Sequence, residues 1–369
     1  MCLSALLMLP LSWQKENACL FILCRNTDIQ DLEPTIRRFE EMFNGKFQYP
    51  YVLLNNEEFT PEFKDRFKKL TSAAVEFGLI PKEHWSYPAW IDQERAKRER
   101  ERMKRKKIIY GEVESYRHMC RFFSGFFYKH PLLTKYEYYW RIEPGTTIHC
   151  PIKYDPFAFM KENKKKYGFV ITLHEYPETI ASLWKSLQGF VSAYNTKYQP
   201  GQIWSLFDPN NLHRFITDEM YTQYNMCHFW SNFEIADFSV FRNPSYQMLF
   251  DYLDRTGGFF YERWGDAPVH TIALALFLPS SAMHYFEDIG YTHPPFTHCP
   301  APALNWPACD CDPKQSVDLE MFSCINLYKR LMWIKKSSAP QVAKAAPKTT
   351  PPSKPSLPHE PPKQKVSTS

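Results

Sequence analysis

The stretch NACLFILC (residues 17–24) and the segment after it decide the fold class of this 369-residue chain. Its apolar run is typical of a short buried strand and ends at the polar residues 25–28. Apolar residues then recur at helical spacing, at Leu32, Ile36, Phe39 and Phe43. The order strand, loop, amphipathic helix predicts a βα unit at the start of the folded chain.

The same alternation continues along the chain. Further strands are predicted at residues 49–54, 135–143, 168–173 and 233–241. Further helices are predicted at residues 61–70, 94–107, 115–128, 243–256 and 268–278. Alternating strands and helices favour an α/β fold, in which a mixed but mostly parallel sheet is flanked by helices.

Composition restricts the function classes. Aromatic residues make up 17% of the chain and charged residues 23%, which argues against a coiled coil or a wholly disordered chain. The formal charge is +5, but residues 337–369 hold five Lys against one Glu, so the remainder carries only about +1 (5 − 4). A nucleic-acid partner is not expected, because it would require a basic face on the folded part.

The most basic stretch, residues 94–107, contains nine Lys or Arg and three Glu. Both signs fall on neighbouring helical turns, which favours a solvated helix face. A site for phosphate or an anionic surface is the alternative.

Composition also divides the chain into three parts. Residues 1–16 form a short apolar segment, residues 17–334 the folded domain, and residues 335–369 a tail rich in Pro and Lys that is predicted to be disordered. The first segment is shorter than the ~20 apolar residues that cross a bilayer. It is interpreted either as the start of a soluble chain or as the remnant of a membrane anchor.

Ten cysteines occur, and four of them cluster late in the chain, at Cys299, Cys309, Cys311 and Cys324. This clustering favours disulfides in an oxidising compartment, with reduced core thiols as the alternative. A zinc site is less favoured, because no C-x-x-C or paired His accompanies the cysteines.

Phosphate-binding glycine loops do not occur in the sequence. Neither G-x-G-x-x-G nor G-x-x-x-x-G-K-[ST] is found, which argues against dinucleotide binding and P-loop nucleotide hydrolysis. Polar residues follow several predicted strands, where the ligands of open α/β sheets collect. They are Arg25, Arg141, Glu143, Glu234 and Asp237.

Transfer of a sugar from a nucleotide needs a cation, because the diphosphate gains negative charge as its bond to the sugar breaks. The one Asp-x-Asp sequence, residues 310–312, lies late in the chain between cysteines and is interpreted as a decoy. Glu143, at a Glu-Pro-Gly turn after a strand, is the better candidate. A carboxylate with one imidazole would suit Mn²⁺.

Five longer segments carry a resemblance to a known family. They are SYRHMCRF (115–122), YWRIEPG (139–145), HFWSNFEI (228–235), GGFFYERWGDAP (257–268) and DIGYTH (288–293). These segments resemble the fungal Golgi α-1,2-mannosyltransferases, glycosyltransferase family 15. The resemblance runs in order over about residues 17–300.

This resemblance implies a GT-A type nucleotide-sugar transferase fold and mannosyl transfer with retention of configuration. GDP-mannose would be the donor, Mn²⁺ the cofactor, and a mannosylated N- or O-linked glycan of a glycoprotein the acceptor, with an α-1,2 linkage formed. Transfer of mannosyl phosphate is the alternative attributed to relatives. The family consists of type II membrane proteins, so the resemblance implies the Golgi lumen and leaves membrane association of this chain open.

The resemblance also implies roles for individual residues. Glu143 and His293 would hold the metal. Arg25 would bind the nucleotide, while Tyr116 and Arg141 would face the diphosphate and the transferred sugar.

Two further carboxylates would take part in the reaction. Glu234 matches the candidate nucleophile of the family, and Asp266 would be a second carboxylate in the acceptor pocket. Retention requires either two inversions or a front-face exchange, and Glu234 could serve as nucleophile or as stabiliser of positive charge. His270 is a rival metal ligand, although its apolar neighbours favour a core role.

Three tryptophans, Trp140, Trp230 and Trp264, could stack on sugar rings, and core packing is favoured for each alone. Two other function classes remain. One is a non-catalytic mannan-binding protein on the same fold. The other is a glycoside hydrolase using Glu234 and Asp266 as its carboxylate pair, which would need neither GDP nor metal.

Overall fold

The structure is a computed structural model that describes residues 15–197, 210–301 and 309–338. The predicted N-terminal segment up to residue 14 and the predicted disordered tail beyond residue 338 lie outside the described residues. The last helix continues to Ser338 and so passes the domain boundary predicted at residue 334.

Twelve strands form three sheets in the described part of the chain. They are β1 (Ala18–Leu23), β2 (Tyr51–Asn55), β3 (Val75–Leu79), β4 (Tyr138–Ile142), β5 (Thr147–Ile148), β6 (Tyr167–Phe169), β7 (Thr172–His174), β8 (Cys227–Phe229), β9 (Glu234–Asp237), β10 (Met283–Tyr285), β11 (Tyr291–His293) and β12 (Phe296–His298). The central sheet has the order β10-β6-β9-β4-β1-β2-β3. Its pairs are parallel, except that β9 runs antiparallel to β4 and β6. The predicted mixed, mostly parallel sheet is confirmed.

Helices flank this sheet. The described α-helical segments are α1 (Ile29–Phe39), α2 (Gly45–Phe47), α3 (Pro61–Lys68), α4 (Gln93–Arg105), α5 (Glu114–Gly125), α6 (Pro156–Glu162), α7 (Leu183–Lys197), α8 (His213–Ile216), α9 (Ser239–Arg242), α10 (Pro244–Thr256), α11 (Gly258–Tyr261), α12 (Asp266–Phe277) and α13 (Ile325–Ser338). At the start of α10 the Asn243 side chain accepts a hydrogen bond from the backbone of Ser245 and so caps the helix. Among the described helices, none combines the length and apolar character that a bilayer crossing requires.

The two faces of the central sheet bury different side chains of β4. Side chains alternate along a strand, so Tyr139 and Arg141 share one face and Trp140 lies on the other. Trp140 packs against Phe39 with ring centres 4.9 Å apart. Arg141 lies over Phe123 of α5. The face that carries Arg141 is therefore covered by α5.

Two predicted strands are shorter than expected. In the segment 233–241 the strand ends at Asp237, whose carboxylate accepts a hydrogen bond from the backbone of Ser239 and starts α9. The segment 168–173 is divided between β6 of the central sheet and β7, which pairs with β8 in a separate sheet. The chain leaves one sheet for another there, and an apolar run alone carries no sign of such a change.

Three disulfides form among the described residues, and two of them join distant parts of the chain. Cys150 pairs with Cys309, Cys227 with Cys324, and Cys299 with Cys311. All four clustered cysteines are thus oxidised, as the sequence predicts. Two of them pair with cysteines outside the cluster, at positions that spacing does not reveal.

Candidate active site

Arg141 lies at the centre of a charged cluster at the carboxyl edge of the central sheet. Its side chain is 3% exposed, and its guanidinium carbon lies 3.4 Å from the centre of the Phe123 ring. Nη1 donates to Asp266 Oδ2 at 2.6 Å, and Nη2 donates to Glu143 Oε1. Nε is buried and has no hydrogen-bond partner among the described residues. One buried cation thus holds two carboxylates from separate elements.

Glu143 and His293 face each other at the rim of this cluster. Glu143 follows β4 at a turn in which Gly145 has a φ of +80°, a conformation that favours glycine. His293 Nε2 lies 3.2 Å from Glu143 Oε2, and Nδ1 lies 3.1 Å from the carbonyl oxygen of Pro294. If Nδ1 donates to that carbonyl, the Nε2 lone pair faces a carboxylate oxygen. A proton or a metal ion must then bridge the two.

This pair fits one divalent ion. Two ligands at right angles around an octahedral ion, each roughly 2.1 Å from it, lie about 3 Å apart. The Glu143 and His293 side chains are 21% and 24% exposed, so an ion can reach them. A carboxylate oxygen with an imidazole nitrogen is a mixed donor set that Mn²⁺ accepts.

The ion pair to Arg141 makes stability depend on pH. Burial would raise the pKa of Glu143, but Arg141 and His293 outweigh burial and lower this pKa to about 2, against roughly 4.3 in an unfolded chain. Because the folded-state pKa is the lower one, the charged carboxylate stabilises the fold above the unfolded pKa. That contribution is lost as the pH falls through the folded pKa.

In metal-free protein, Glu143→Gln is expected to lower the free energy of unfolding by about 3 kcal/mol at neutral pH. The difference from the parent should shrink to roughly half by about pH 3, because Glu143 of the unfolded parent is then protonated while that of the folded parent is still charged. Urea unfolding of both proteins in the presence of a chelator measures it. A difference that stays constant with pH would contradict the shifted pKa.

Asp266 is the first residue of α12, where a negative charge is stabilised by the helix dipole. Its Oδ2 accepts hydrogen bonds from Arg141 and, at 2.7 Å, from Ser231 Oγ. Burial would raise the pKa of Asp266, but Arg141 and His270 hold it below its usual value. No hydrogen bond from the described residues reaches Oδ1, which leaves one lone-pair side of this carboxylate for a ligand.

Glu234, the first residue of β9, is fully buried beside the cluster. Because β9 is antiparallel to β4, Glu234 pairs in register with Arg141 and lies at the same edge of the sheet. Tyr139 donates to Oε2 at 2.7 Å and Tyr167 donates to Oε1 at 2.9 Å. His270 Nδ1 lies 2.7 Å from Oε1. Both carboxylate oxygens are therefore engaged by neighbouring side chains.

His270 is fully buried beneath Glu234, as its core interpretation predicts. Its Nε2 lies 3.0 Å from the carbonyl oxygen of Phe123, so both ring nitrogens face acceptors. Burial disfavours the charged ring, but Glu234 outweighs burial and raises the pKa of His270. An imidazolium that donates from both nitrogens satisfies this arrangement and leaves no ring nitrogen for a metal.

Tyr116 of α5 borders the cluster near Asp266. Its ring lies under the Arg263 guanidinium at 5.3 Å and stacks on the half-exposed ring of Tyr110 at 4.7 Å. Arg263 is 4% exposed, its Nη2 lies 3.4 Å from Glu175 Oε1, and its Nε has no partner among the described residues. The sequence prediction lacks Arg263 and Glu175. Glu175 directly follows β7, so the strand-end rule applied to that short strand would have found it.

Arg25 and Asp237 lie apart from the cluster. Arg25 follows β1 at the same edge as Glu143, but its side chain is 69% exposed and pairs with Asp28 at 3.0 Å. Asp237 ends β9 at the opposite edge of the sheet and accepts a hydrogen bond from Lys166 at 2.5 Å. The expectation that Asp237 lies at the ligand edge is wrong, because β9 runs in the reverse direction.

The Asp-x-Asp sequence is engaged elsewhere. Asp310 pairs with Arg38, and its Oδ1 lies 2.7 Å from His149 Nδ1. Neither partner belongs to the Arg141 cluster. This placement agrees with the interpretation of residues 310–312 as a decoy.

The three tryptophans differ in position. Trp140 and Trp264 are 1% and 0% exposed, which confirms core packing for both. Trp230 is half-buried, and its ring centre lies 4.9 Å from that of His293. Only Trp230 of the three therefore presents part of its ring beside the candidate metal pair.

Comparison with known proteins identifies close relatives. The family model described as glycolipid 2-alpha-mannosyltransferase matches residues 7–332. The chain is 51% identical to alpha-1,2 mannosyltransferase KTR1 of Saccharomyces cerevisiae, over 84% of this chain and 77% of the relative. It is 48% identical to O-glycoside alpha-1,2-mannosyltransferase omh1 of Schizosaccharomyces pombe, over 85% of this chain and 78% of the relative.

Solved structures agree with this result. The core-mannan synthase A of Aspergillus fumigatus, in a Mn/GDP form, superposes with a TM-score of 0.78 at 41% identity and covers 86% of this chain and 85% of its own. The mannosyltransferase Ktr4p of Saccharomyces cerevisiae in complex with GDP gives a TM-score of 0.79 at 42% identity, over 88% and 83% of the two chains. The nucleotide-sugar transferase fold expected from the sequence is confirmed.

Proposed function

This chain belongs to the glycolipid 2-alpha-mannosyltransferase family, and we propose that it transfers mannose from GDP-mannose to a mannose at the end of a glycoprotein glycan. The acceptor hydroxyl oxygen forms a bond to C1 of the donor mannose. The bond from C1 to the phosphate oxygen breaks with its electron pair, so GDP and the hydroxyl proton are released. The product carries an α-1,2 linkage, in line with the names of the relatives.

The observation that carries this proposal is the continuous row of charged groups His293, Glu143, Arg141 and Asp266. The row has a cation site at one end, the Asp266 carboxylate at the other, and the buried Arg141 guanidinium between them. It therefore places charge on both sides of a transferred group. A hydrolase with the carboxylate pair Glu234 and Asp266 would give the Glu143–His293 pair no task.

The residues at the donor side have distinct roles in this proposal. Mn²⁺ held by Glu143 and His293 would neutralise the diphosphate as its negative charge grows. Arg141 adds a fixed positive charge, and its free Nε remains available as a donor. Arg25, exposed at the end of β1, can exchange Asp28 for the nucleotide because a surface ion pair of this kind is weak.

The acceptor side is formed by α12 and α5. Asp266 Oδ1 accepts a hydrogen bond from the acceptor hydroxyl, since Oδ2 is held by Arg141 and Ser231. Tyr116 borders the same space with its ring fixed by Arg263. Held in this way, the attacking oxygen loses little further freedom on the way to the transition state.

Glu234 stabilises positive charge at C1 in this proposal. Three side chains already occupy its oxygens, which opposes a role as attacking nucleophile. Its negative charge lies beside Arg141 at the carboxyl edge of the central sheet, where burial strengthens electrostatic interactions. The proposal therefore favours a front-face exchange over a covalent mannosyl-enzyme.

An oxidising compartment suits the three disulfides, and the lumen of the Golgi is the compartment proposed. A donor of the nucleotide-sugar class and a mannosylated glycoprotein acceptor are the proposed partners.

Incubation with GDP-mannose, Mn²⁺ and methyl α-mannoside, followed by linkage analysis, tests this function. We expect a methyl dimannoside with an α-1,2 linkage, stoichiometric GDP, and no product when a chelator replaces Mn²⁺. A mannosyl phosphate product would instead identify a mannosylphosphate transferase. Cleavage of mannan without GDP would indicate a hydrolase, and binding of mannan without any turnover would indicate a non-catalytic protein.

A further inference from the structure

A row of partly exposed aromatic side chains leads outward from the candidate metal pair. Its members, called here the aromatic row, are Trp230, Phe296 and Phe322. Trp230 contacts His293, and its ring centre lies 5.5 Å from that of Phe296. Phe296 lies 5.1 Å from Phe322. The row is therefore continuous from the rim of the cluster to the surface.

The outer end of the row is a loop that is fastened to β7. The backbone N–H of His174 donates to the carbonyl oxygen of Phe322 at 3.0 Å, and the N–H of Cys324 donates to Thr172 at 3.2 Å. The disulfide between Cys227 and Cys324 ties the same loop to β8. The backbone at Phe322 is thus held in place before any ligand arrives, which lowers the entropy cost of binding.

This fastened loop exposes large apolar side chains. Leu319 is 69% exposed, Met321 98% and Phe322 38%. Large apolar side chains exposed together on a fastened loop are typical of binding surfaces. Phe322 joins this loop to Phe296 and Trp230, and Trp230 is followed by Ser231, which donates a hydrogen bond to Asp266 at the acceptor side of the candidate site.

We infer that the aromatic row binds the mannose residues that lie between the acceptor mannose and the carrier of the glycan. This inference rests on the proposed mannosyl transfer and deepens it, because it assigns a chain of mannoses as the preferred acceptor. Hexoses present C–H faces that pack on aromatic rings. A row of three rings, each in contact with the next and each partly exposed, offers successive sugars such faces without demanding one linkage.

The charge around the row disfavours a membrane as its occupant. Glu320 is exposed between Leu319 and Met321, and an acidic residue is repelled by anionic headgroups. The half-buried rings of Trp230 and Phe296 sit at the inner end, where a flat bilayer would not reach. The peptide part of a glycoprotein is the remaining rival, and the test below separates it from the glycan.

The test compares acceptors of increasing length. For the parent, kcat/KM should rise from methyl α-mannoside to α-1,2-mannobiose and α-1,2-mannotriose. In Phe322→Ser and in Met321→Ser, kcat/KM for methyl α-mannoside should equal the parental value. In Phe322→Ser, kcat/KM for mannotriose should fall by about tenfold. Both residues are exposed, so these variants should fold. Leu79→Ser, an exposed apolar residue at the end of β3, is the matched control and should change neither value.

Mannotriose affinity, measured by calorimetry without donor, gives a second readout that does not depend on turnover. Weaker binding in Phe322→Ser than in the parent supports the aromatic row, even if the parent transfers no mannose and the proposed function fails. Equal losses for all acceptors, or equal mannotriose affinity in parent and variant, would overturn the inference. A loss seen only with mannosylated peptides would overturn it in favour of a peptide site.

Discussion

Glu143→Ala is expected to abolish the dependence of GDP binding on Mn²⁺. In the parent, the Glu143 carboxylate and the His293 imidazole lie 3.2 Å apart and together can hold one ion. Removal of the carboxylate leaves a single imidazole, too little to retain the ion against water. Loss of an outer-shell partner already weakens metal binding by about 10- to 100-fold, so loss of a direct ligand should weaken Mn²⁺-dependent GDP binding by at least about 100-fold.

Calorimetric titration of GDP, with and without Mn²⁺, measures this effect. Loss of the Arg141 partner could also destabilise the fold, so His293→Ala serves as a second variant. His293 is partly exposed, and its removal leaves the pair of Arg141 and Glu143 intact. Asp310→Ala is the matched control, because Asp310 is a carboxylate outside the cluster. Equal Mn²⁺ dependence in parent and Glu143→Ala would reject the metal role.

Local patterns predicted the βα framework because each unit is amphipathic on its own. The run at residues 17–24 and the helical spacing after it correspond to β1 and α1. Local patterns do not predict strand direction, because it depends on which neighbour a strand pairs with, and that pairing is a long-range property. Glu234 therefore lies at the ligand edge as the first residue of β9, while Asp237, at the end of the same strand, lies at the other edge.

The candidate site combines residues too distant in sequence for spacing to join them. Glu143 and His293 are 150 positions apart, and only the family resemblance pairs them beforehand. Arg263 went unpredicted because it lies on a short irregular connection without periodicity, and Glu175 because β7, whose end it follows, was not separated from β6 in the sequence. The same limit applies to the disulfides, in which Cys150 and Cys227 join the late cluster through the fold alone.

Glu234→Gln is expected to leave GDP binding near the parental value and to lower the rate of mannosyl transfer by about 10³-fold. The amide preserves the shape of the side chain and can still accept a hydrogen bond from Tyr139. It removes the negative charge that would stabilise C1, and it removes the anion that His270 faces. The transfer rate should therefore fall while GDP affinity stays the same. Single-turnover kinetics measures the rate, and calorimetry measures the affinity.

Asp254→Asn controls for the loss of any buried carboxylate. Asp254 accepts two hydrogen bonds from Arg121, at 2.7 and 2.8 Å, away from the Arg141 cluster. This variant should lose stability and keep its transfer rate per folded molecule. Turnover of Glu234→Gln near the parental rate would remove Glu234 from the chemistry.

Mass spectrometry of the parent with donor alone then distinguishes a covalent mannosyl-enzyme from a front-face exchange. A mannosyl group attached to Glu234 would mean that this carboxylate acts as the nucleophile and gives up its hydrogen bonds to Tyr139, Tyr167 and His270. An unmodified chain that still transfers mannose would mean that the carboxylate acts through its charge.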